Sequence, residues 1–184
     1  MEKQTFKTKL YEACSSDELR PVLMCVHFKN GFAYASDAHM VVKQSLEYHA
    51  IQEPLFLEGK CIHKDNYKAI MGFEIATCNE DGVSCSDSDG RTAFYEYFDT
   101  KGVPPPNFDE VLKPTGCKSI EFIGINPDFV ERIGKALHTP SGTLRFQFQG
   151  IDKGVLIDTP EIENQWAILM PVFINESLFS NSTE

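Results

Sequence analysis

Apolar and polar residues alternate along several short stretches of this chain, which is the pattern of half-buried β-strands. The clearest stretch is residues 143–150, TLRFQFQG, in which Leu144, Phe146 and Phe148 alternate with polar residues. Similar strands are predicted at residues 22–28, 31–36 and 40–46, and Lys-Asn-Gly is a hairpin signal between the first two. Further strands are predicted at residues 54–59, 73–99 (broken by two turns), 118–125, 153–159 and 165–174.

Three stretches have the apolar spacing of three and four residues that marks one face of a helix. The first covers about residues 5–14, and the second covers residues 63–72, which end on a glycine. The third covers residues 126–138, with Asn126 as the N-cap and Pro127 at the first helical position.

The order of these elements predicts an α+β fold made of βαβββ repeats, with helices on one face of antiparallel sheets. Residues 1–113 form a domain of two halves, 1–50 and 51–113, which ends in a proline-rich connector from about residue 101. Residues 114–174 form a third half, and residues 175–184 form a polar C-terminal tail.

Composition indicates a soluble, cytoplasmic protein without a membrane partner. Apolar residues make up 42% and charged residues 24%, and no apolar run approaches the ~20 residues needed to span a bilayer. The N-terminus lacks the apolar core of a signal peptide. The six cysteines include no Cys-x-x-Cys pair, so we expect free thiols and neither a metal nor a cofactor.

The net charge is −10, which argues against simple wrapping of nucleic acid, but the basic residues are unevenly distributed. The helical segments 3–14, 60–72 and 127–138 contain eight lysines and arginines against four acidic residues. Several of these basic residues lie three or four apart and share a helix face. They either line one basic surface for phosphates or simply solvate the outer faces of amphipathic helices.

Three stretches carry a resemblance to a known family. The end of the chain, WAILMPVFI (166–174), is similar to the last strand of the bacterial DNA polymerase III β subunit, the sliding clamp, which reads close to YVVMPMRL. Residues 19–42, LRPVLMCVHFKNGFAYASDAHMVV, resemble that family's RxxLNGVxF…VATDGHRLA pattern. Residues 102–114, GVPPPNFDEVLKP, resemble its G-x-FPDYxxVLP connector. The chain departs from the family in having only about three half-domains and in replacing Gly-His-Arg by Ala38, His39 and Met40.

The resemblance implies a clamp-like replication or repair accessory protein without enzymatic activity. It would encircle or cradle duplex DNA as a homo-oligomer, a dimer or a tetramer, without reading its sequence. Phosphates would be contacted by basic residues of the helices, namely Lys3, Lys7, Lys64, Lys68, Arg132 and Lys135.

The resemblance also implies a cleft that binds a short peptide of a DNA polymerase or repair protein. Pro171 would interrupt strand pairing there and leave apolar side chains exposed. Carried over from the family, the lining is Arg20, Leu23, Ser36, His39, Val41, Pro114, Leu169, Met170, Pro171 and Val172.

The tail contains Asn175, Leu178 and Phe179 in the order NESLF, which resembles the QLSLF type of peptide that clamps bind. A non-encircling adaptor or clamp competitor that acts through the cleft or the tail is therefore the alternative function. A third hypothesis is an unrelated α+β enzyme that uses Asp37 or His39.

Overall fold

The computed structural model describes residues 7–174. Within this range ten strands form two sheets, and every pairing between strands is antiparallel. The strands are β1 (Cys25–Lys29), β2 (Phe32–Ser36), β3 (Met40–Ser45), β4 (Cys61–His63), β5 (Ile75–Cys78), β6 (Gly82–Ser86), β7 (Thr92–Glu96), β8 (Arg145–Gln147), β9 (Val155–Asp158) and β10 (Gln165–Leu169).

The larger sheet has seven strands in the order β4-β1-β2-β3-β10-β9-β8. Its first hairpin joins β1 to β2 through Asn30 and Gly31, both at positive φ (53° and 76°), as the Lys-Asn-Gly signal predicts. The central pairing joins β3 to β10, with Gln44 opposite Gln165. Gln44 Nε2 donates to Gln165 Oε1 at 2.8 Å in the buried centre of this joint.

The smaller sheet has three strands in the order β5-β6-β7. Its inner face contributes Ala76, Val83 and Cys85 to the core that the helices also share. Gly82 lies where a Cβ would sit 2.3 Å from Tyr95 O, so the close approach of β6 and β7 requires glycine here.

Three α-helices and four short 3₁₀ helices complete the described chain. Asn126 caps α3 as predicted, since its Oδ1 accepts from the Asp128 N–H at 3.0 Å. The α-helices are α1 (Lys64–Ile70), α2 (Phe108–Val111) and α3 (Pro127–Ala136). The 3₁₀ helices are Leu10–Ala13, Pro21–Met24, Leu46–Tyr48 and Pro54–Leu57. No helix in residues 7–174 has the length and apolar character needed to cross a bilayer.

The two faces of the seven-stranded sheet have different covers. The inner face packs on the Leu10–Ala13 helix, α1 and α3, with Leu10, Tyr67 and Ile133 fully buried. The outer face has a smaller cluster in which Phe108 and Leu112 of the α2 region lie on the sheet. The predicted α+β class with antiparallel sheets is therefore confirmed, although α2 lies on the face opposite to α1 and α3.

Three predicted elements were wrong in their local structure. The helix at residues 5–14 is, within the described residues, only the 3₁₀ helix Leu10–Ala13, and the chain leaves it at Ser15, whose N–H donates to Leu23 O at 2.9 Å. The strand at 54–59 is the 3₁₀ helix Pro54–Leu57, preceded by a left-handed residue at 53. The strand at 118–125 is reduced to one bridge between Gly124 and Val172, because Pro171 has no N–H to extend the ladder.

Candidate functional site

The helix layer has the Leu10–Ala13 helix at its centre, in contact with both α1 and α3. Arg132 of α3 connects these elements through its whole guanidinium group. Its Nε donates to Glu12 O at 2.8 Å, its Nη2 donates to Cys14 O at 3.0 Å, and its Nη1 pairs with Asp37 Oδ2 at 2.5 Å. Arg132 therefore joins α3 to residues 12–37, and its charge is paired with that of Asp37.

Asp37 is the buried partner of that ion pair. It follows β2, and its Oδ1 also accepts from the N–H groups of His39 (3.0 Å) and Met40 (3.1 Å). Three polar contacts thus occupy this carboxylate, and they hold the turn in which Ala38 has a φ of 76°. The nucleophile–base pair of the enzyme hypothesis has no free carboxylate at this position.

A polar groove of about 460 Å³ opens between the Leu10–Ala13 helix and α1. Lys64 lies on its wall, where Nζ donates to Ser15 O at 3.0 Å and Ser16 Oγ at 2.7 Å. Lys68 lies one turn further, with its ammonium 5.5 Å from the Tyr11 ring centroid. The lining is Tyr11, Glu12, Cys14, Ser15, Ser16, Arg20, Asp37, His39, Lys64, Asp65, Lys68 and Arg132.

A second polar groove of about 340 Å³ lies at the end of α3 and brings Lys7, Lys9 and Lys135 together. Lys7 and Lys9 are exposed and make no ion pair with another described residue. Lys135 pairs with Glu131 at 2.7 Å, and this hydrogen-bonded pairing raises the pKa of Lys135. Lys9 was not among the residues predicted to contact phosphates, although it follows Lys7 by two residues.

The residues predicted to face DNA therefore divide between the two polar grooves, apart from one. Lys64 and Lys68 share the first groove with Arg132, which is committed to Asp37. Lys7 and Lys135 share the second groove. Lys3 lies outside the described residues.

An apolar groove of about 380 Å³ lies on another part of the surface, where the chain leaves β10. Phe173 is 96% exposed, and Met170 and Val172 are each more than 40% exposed. The segment is held to residue 124 by the Val172 N–H, which donates to Gly124 O at 2.9 Å. The lining is Phe122, Ile123, Gly124, Ile151, Asp152, Met170, Pro171, Val172, Phe173 and Ile174.

The ten residues predicted to line a peptide cleft fall into four places. Four of them are buried: Leu23, Ser36, Val41 and Leu169. The first polar groove is lined by Arg20 and His39, and the apolar groove by Met170, Pro171 and Val172. Pro114 lies exposed on the connector. One backbone hydrogen bond connects the two grooves, from Met170 N to His39 O at 2.8 Å. The predicted tail motif, Asn175, Leu178 and Phe179, lies outside the described residues.

Sequence reasoning did not identify the polar cluster on the outer face. Lys43 lies with its ammonium 4.2 Å from the Phe32 ring centroid and 5.0 Å from that of Trp166, and it pairs with Asp109 at 2.9 Å. Tyr34 donates to the same carboxylate at 2.9 Å. The only available signal was the basic residue that follows three apolar residues in β3, and its partner is 66 residues away.

Comparison with known proteins finds similarity in structure alone. No family model matches the sequence, and no curated protein matches it. The sliding clamp of Bacillus subtilis superposes with a TM-score of 0.66 at 14% identity, over 92% of this chain and 61% of that one. The clamp of Pseudomonas aeruginosa superposes with a TM-score of 0.65 at 11% identity, over 90% of this chain and 64% of that one. The DNA polymerase III β subunit of Thermotoga maritima superposes with a TM-score of 0.61 at 13% identity, over 91% of this chain and 63% of that one.

The chain therefore has the fold of the bacterial sliding clamp, as the resemblance in its sequence implies. It spans less than two thirds of the length of each of these clamps. At 10–15% identity the match describes the architecture of the chain, not its activity.

Proposed function

We propose that this chain, with the fold of a sliding clamp, is a non-enzymatic DNA accessory protein that holds duplex DNA against its helix layer. It acts as a homo-oligomer, a dimer or a tetramer, and tethers a polymerase or repair protein through its surface grooves. The observation that carries the proposal is the pair of lysine-lined grooves on the helix side of this fold. An acidic protein with lysines gathered on one face can attract phosphates locally despite its net charge of −10.

The first groove supports DNA contact because Lys64 is held in position by two hydrogen bonds, and no carboxylate of residues 7–174 lies within hydrogen-bonding distance of its ammonium. The second supports it because Lys7 and Lys9 are exposed beside Lys135. Ammonium groups of this kind contact the DNA backbone without reading its bases. Binding should therefore be independent of sequence and strongly dependent on salt.

Oligomerisation is supported by the edge of the smaller sheet. Strand β7 is the last strand of that sheet, and nothing among residues 7–174 pairs along its outer side. In the larger sheet the corresponding edge of β3 is paired with β10. An unpaired edge of this kind is a template for another chain, and a second copy would continue the sheet.

The first test is the mass in solution, measured by light scattering behind size exclusion at several concentrations. A stable dimer or tetramer that stays on closed circular DNA and leaves it after linearisation is the expected result for an encircling protein. A persistent monomer would exclude encirclement by this protein alone.

The second test is a matched pair of double variants. Lys64→Gln/Lys68→Gln should weaken duplex binding and lower the slope of log K against log salt by about 2, one for each lost phosphate contact. The control, Lys101→Gln/Lys113→Gln, removes two exposed lysines from the connector on the other side of the sheet. An equal loss in both double variants would contradict a DNA site on the helix layer.

The apolar groove favours a second candidate function, an adaptor that acts without encircling DNA. Exposed apolar surface beside Pro171 is suited to a short apolar peptide, either from a partner or from the tail residues Leu178 and Phe179. The affinity of the groove for such a peptide is measured by fluorescence anisotropy, with a labelled NESLFSNSTE peptide and a chain truncated after residue 174. Val172→Ser should weaken peptide binding, and Leu19→Ser, at an exposed leucine elsewhere, should not.

A further inference from the structure

A cavity of about 290 Å³ lies between the outer face of the seven-stranded sheet and the proline-rich connector, and it shares no lining residue with the three grooves described above. Pro105 and Pro106 form part of its wall, and because a proline ring fixes φ, this part of the connector has little freedom to move. Phe108 attaches the connector to the sheet, since its ring stacks on that of Tyr34 with centroids 5.3 Å apart. The walls of the cavity are therefore in place before any ligand enters.

Three aromatic rings among the lining residues form one cluster. The His27 and Phe108 ring centroids lie 5.4 Å apart, and Phe108 also stacks on Tyr34. All three side chains are buried, so their positions are fixed by packing. Such a cluster presents a rigid, flat surface against which a planar ring packs favourably. Ligand pockets typically combine a surface of this kind with a few polar groups that orient the ligand.

The His27 ring supplies a hydrogen-bond acceptor to the cavity. Its Nε2 lies 2.6 Å from Val22 O, and because a carbonyl oxygen can only accept, this nitrogen carries the proton. Burial lowers the pKa of His27, so the ring is neutral and Nδ1 has a lone pair. Among residues 7–174 the buried side-chain N and O atoms without a hydrogen-bond partner are Gln44 Oε1 and His49 Nε2, so His27 Nδ1 is not one of them. Since Nε2 makes the hydrogen bond of this ring, Nδ1 is accessible from the cavity that the ring lines.

The unpaired charges at this cavity are positive. Lys29 and Lys60 line it and are exposed, and neither forms an ion pair with a carboxylate of residues 7–174. Asp109 lines it too, but its carboxylate is paired with Lys43 at 2.9 Å. Lys29 follows His27 by two residues on β1, so the two side chains leave the same face from Cα atoms about 7 Å apart. An acceptor and a positive charge are thus separated by roughly the length of a benzene ring with two para substituents.

We propose that this cavity binds a small aromatic acid that carries a hydrogen-bond donor on the side of its ring opposite to the carboxylate. The carboxylate pairs with Lys29 and Lys60, the ring packs against Phe108, and the donor bonds to His27 Nδ1. A volume of about 290 Å³ is at the lower limit of ligand pockets, which suits a single ring. The site is on the face opposite to the helix layer and requires neither DNA nor a partner protein, so its failure would leave the proposed function untouched.

The first test is isothermal titration calorimetry of the full chain, kept reduced, with 4-hydroxybenzoate as the probe. Two matched compounds separate the polar interactions, because benzoate lacks the donor and 4-hydroxybenzamide lacks the charge. We expect saturation of the chain by 4-hydroxybenzoate at one equivalent. Each of the other two compounds should bind about tenfold more weakly, because each loses one polar interaction with the cavity.

Variants of the chain test the same interactions from the protein side. His27→Phe keeps an aromatic ring but has no acceptor, so it should bind 4-hydroxybenzoate as weakly as the wild type binds benzoate, with the affinity for benzoate unchanged. Lys29→Gln/Lys60→Gln, at exposed positions compatible with folding, should weaken the binding of both acids about tenfold and leave that of 4-hydroxybenzamide unchanged. The control, Lys118→Gln/Lys153→Gln, removes the same charge from exposed positions outside the cavity and should leave all three affinities unchanged.

Nuclear magnetic resonance of the wild type locates the bound probe. The His27 Nδ1 resonance, observed in a long-range ¹H–¹⁵N spectrum, should shift with 4-hydroxybenzoate and not with benzoate, since only the former donates to this nitrogen. Absence of saturable binding, equal affinities for the three compounds, or an equal loss in the lysine control would overturn the site. Shifts confined to the apolar groove, around Phe173, would overturn it as well, because the probe would then bind only to exposed apolar surface.

Discussion

The two sheets of this chain are built from similar antiparallel strands, yet they differ in how their faces are covered. The seven-stranded sheet has helices on its inner face and, on its outer face, the connector, where the Phe108 and Tyr34 rings stack with centroids 5.3 Å apart. Within residues 7–174 the three-stranded sheet is covered only on its inner face, and on its outer face Ile75 and Phe94 are about half exposed. The stability of the larger sheet should therefore depend on both layers, and that of the smaller sheet on one.

Removal of the Arg132 side chain, which joins α3 to the inner layer, should have the largest effect on stability. Arg132→Ala breaks the ion pair with Asp37 and leaves a buried carboxylate without its counter-charge, so the free energy of unfolding should fall by about 3 kcal/mol. Urea denaturation followed by circular dichroism measures this loss. Lys135→Ala, on the exposed side of the same helix, is the control and should be close to neutral. A mild effect of Arg132→Ala would mean that packing alone holds α3 in place.

A buried histidine should make the stability of the fold decrease in acid. His49 is buried, with Nδ1 3.1 Å from the Tyr67 hydroxyl, and burial lowers the pKa of His49 to about 3. Between pH 3 and the ordinary histidine pKa of ~6.5 only the unfolded chain binds this proton, so stability decreases as pH falls.

The slope expected from His49 approaches about 1.4 kcal/mol per pH unit below pH 6, and the change between pH 6.5 and 5 is about 1.6 kcal/mol. Urea unfolding at a series of pH values measures it, and His49→Gln should remove this part of the slope. The same pH dependence in wild type and variant would show that another group is responsible.

The outer cover should contribute less than the inner one. Lys43→Ala removes the ion pair with Asp109 and the contacts of the ammonium with the Phe32 and Trp166 rings, and should lower the free energy of unfolding by about 1.5 kcal/mol. Hydrogen exchange should then increase in residues 101–116 more than in the helices. Lys43→Met, which keeps the aliphatic packing, should recover part of the loss. Uniform exchange across the chain would contradict a separate outer layer.

Substitutions on the outer face of the three-stranded sheet should change the stability least. Phe94→Thr replaces a half-exposed ring by a residue that favours strands, and the free energy of unfolding should change by less than about 0.5 kcal/mol. Thermal unfolding of the isolated chain measures it. A much larger loss that depends on protein concentration would instead mean that this face is covered by a second copy.

Local features of the fold were predictable from the sequence because a few adjacent residues determine them. The Asn30-Gly31 turn needs two residues that accept positive φ, and the α3 cap needs only Asn126 and the next two residues. The resemblance to the clamp gave the class of fold and the order of most elements. It also gave most of the lysines of the two polar grooves, but not Lys9.

Contacts between distant segments were not predictable in the same way. Arg132 was assigned to DNA from its place on a helix face, but its partner Asp37 lies 95 residues earlier, in a turn whose position depends on the completed sheet. The ten proposed cleft residues separate for this reason too, since burial of Leu23 and Val41 follows from packing and not from their sequence neighbours.

The joint between β3 and β10 has a consequence for how the protein is made. Gln44 and Gln165 are 121 residues apart, so a ribosome synthesises nearly the whole chain before the centre of the larger sheet can close. Until then β3 has an open edge with apolar residues, and contacts so far apart in sequence form slowly. Translation of residues 46–164 therefore sets a waiting period in which the nascent chain depends on its first hairpins, or on a chaperone, to avoid pairing with a neighbour.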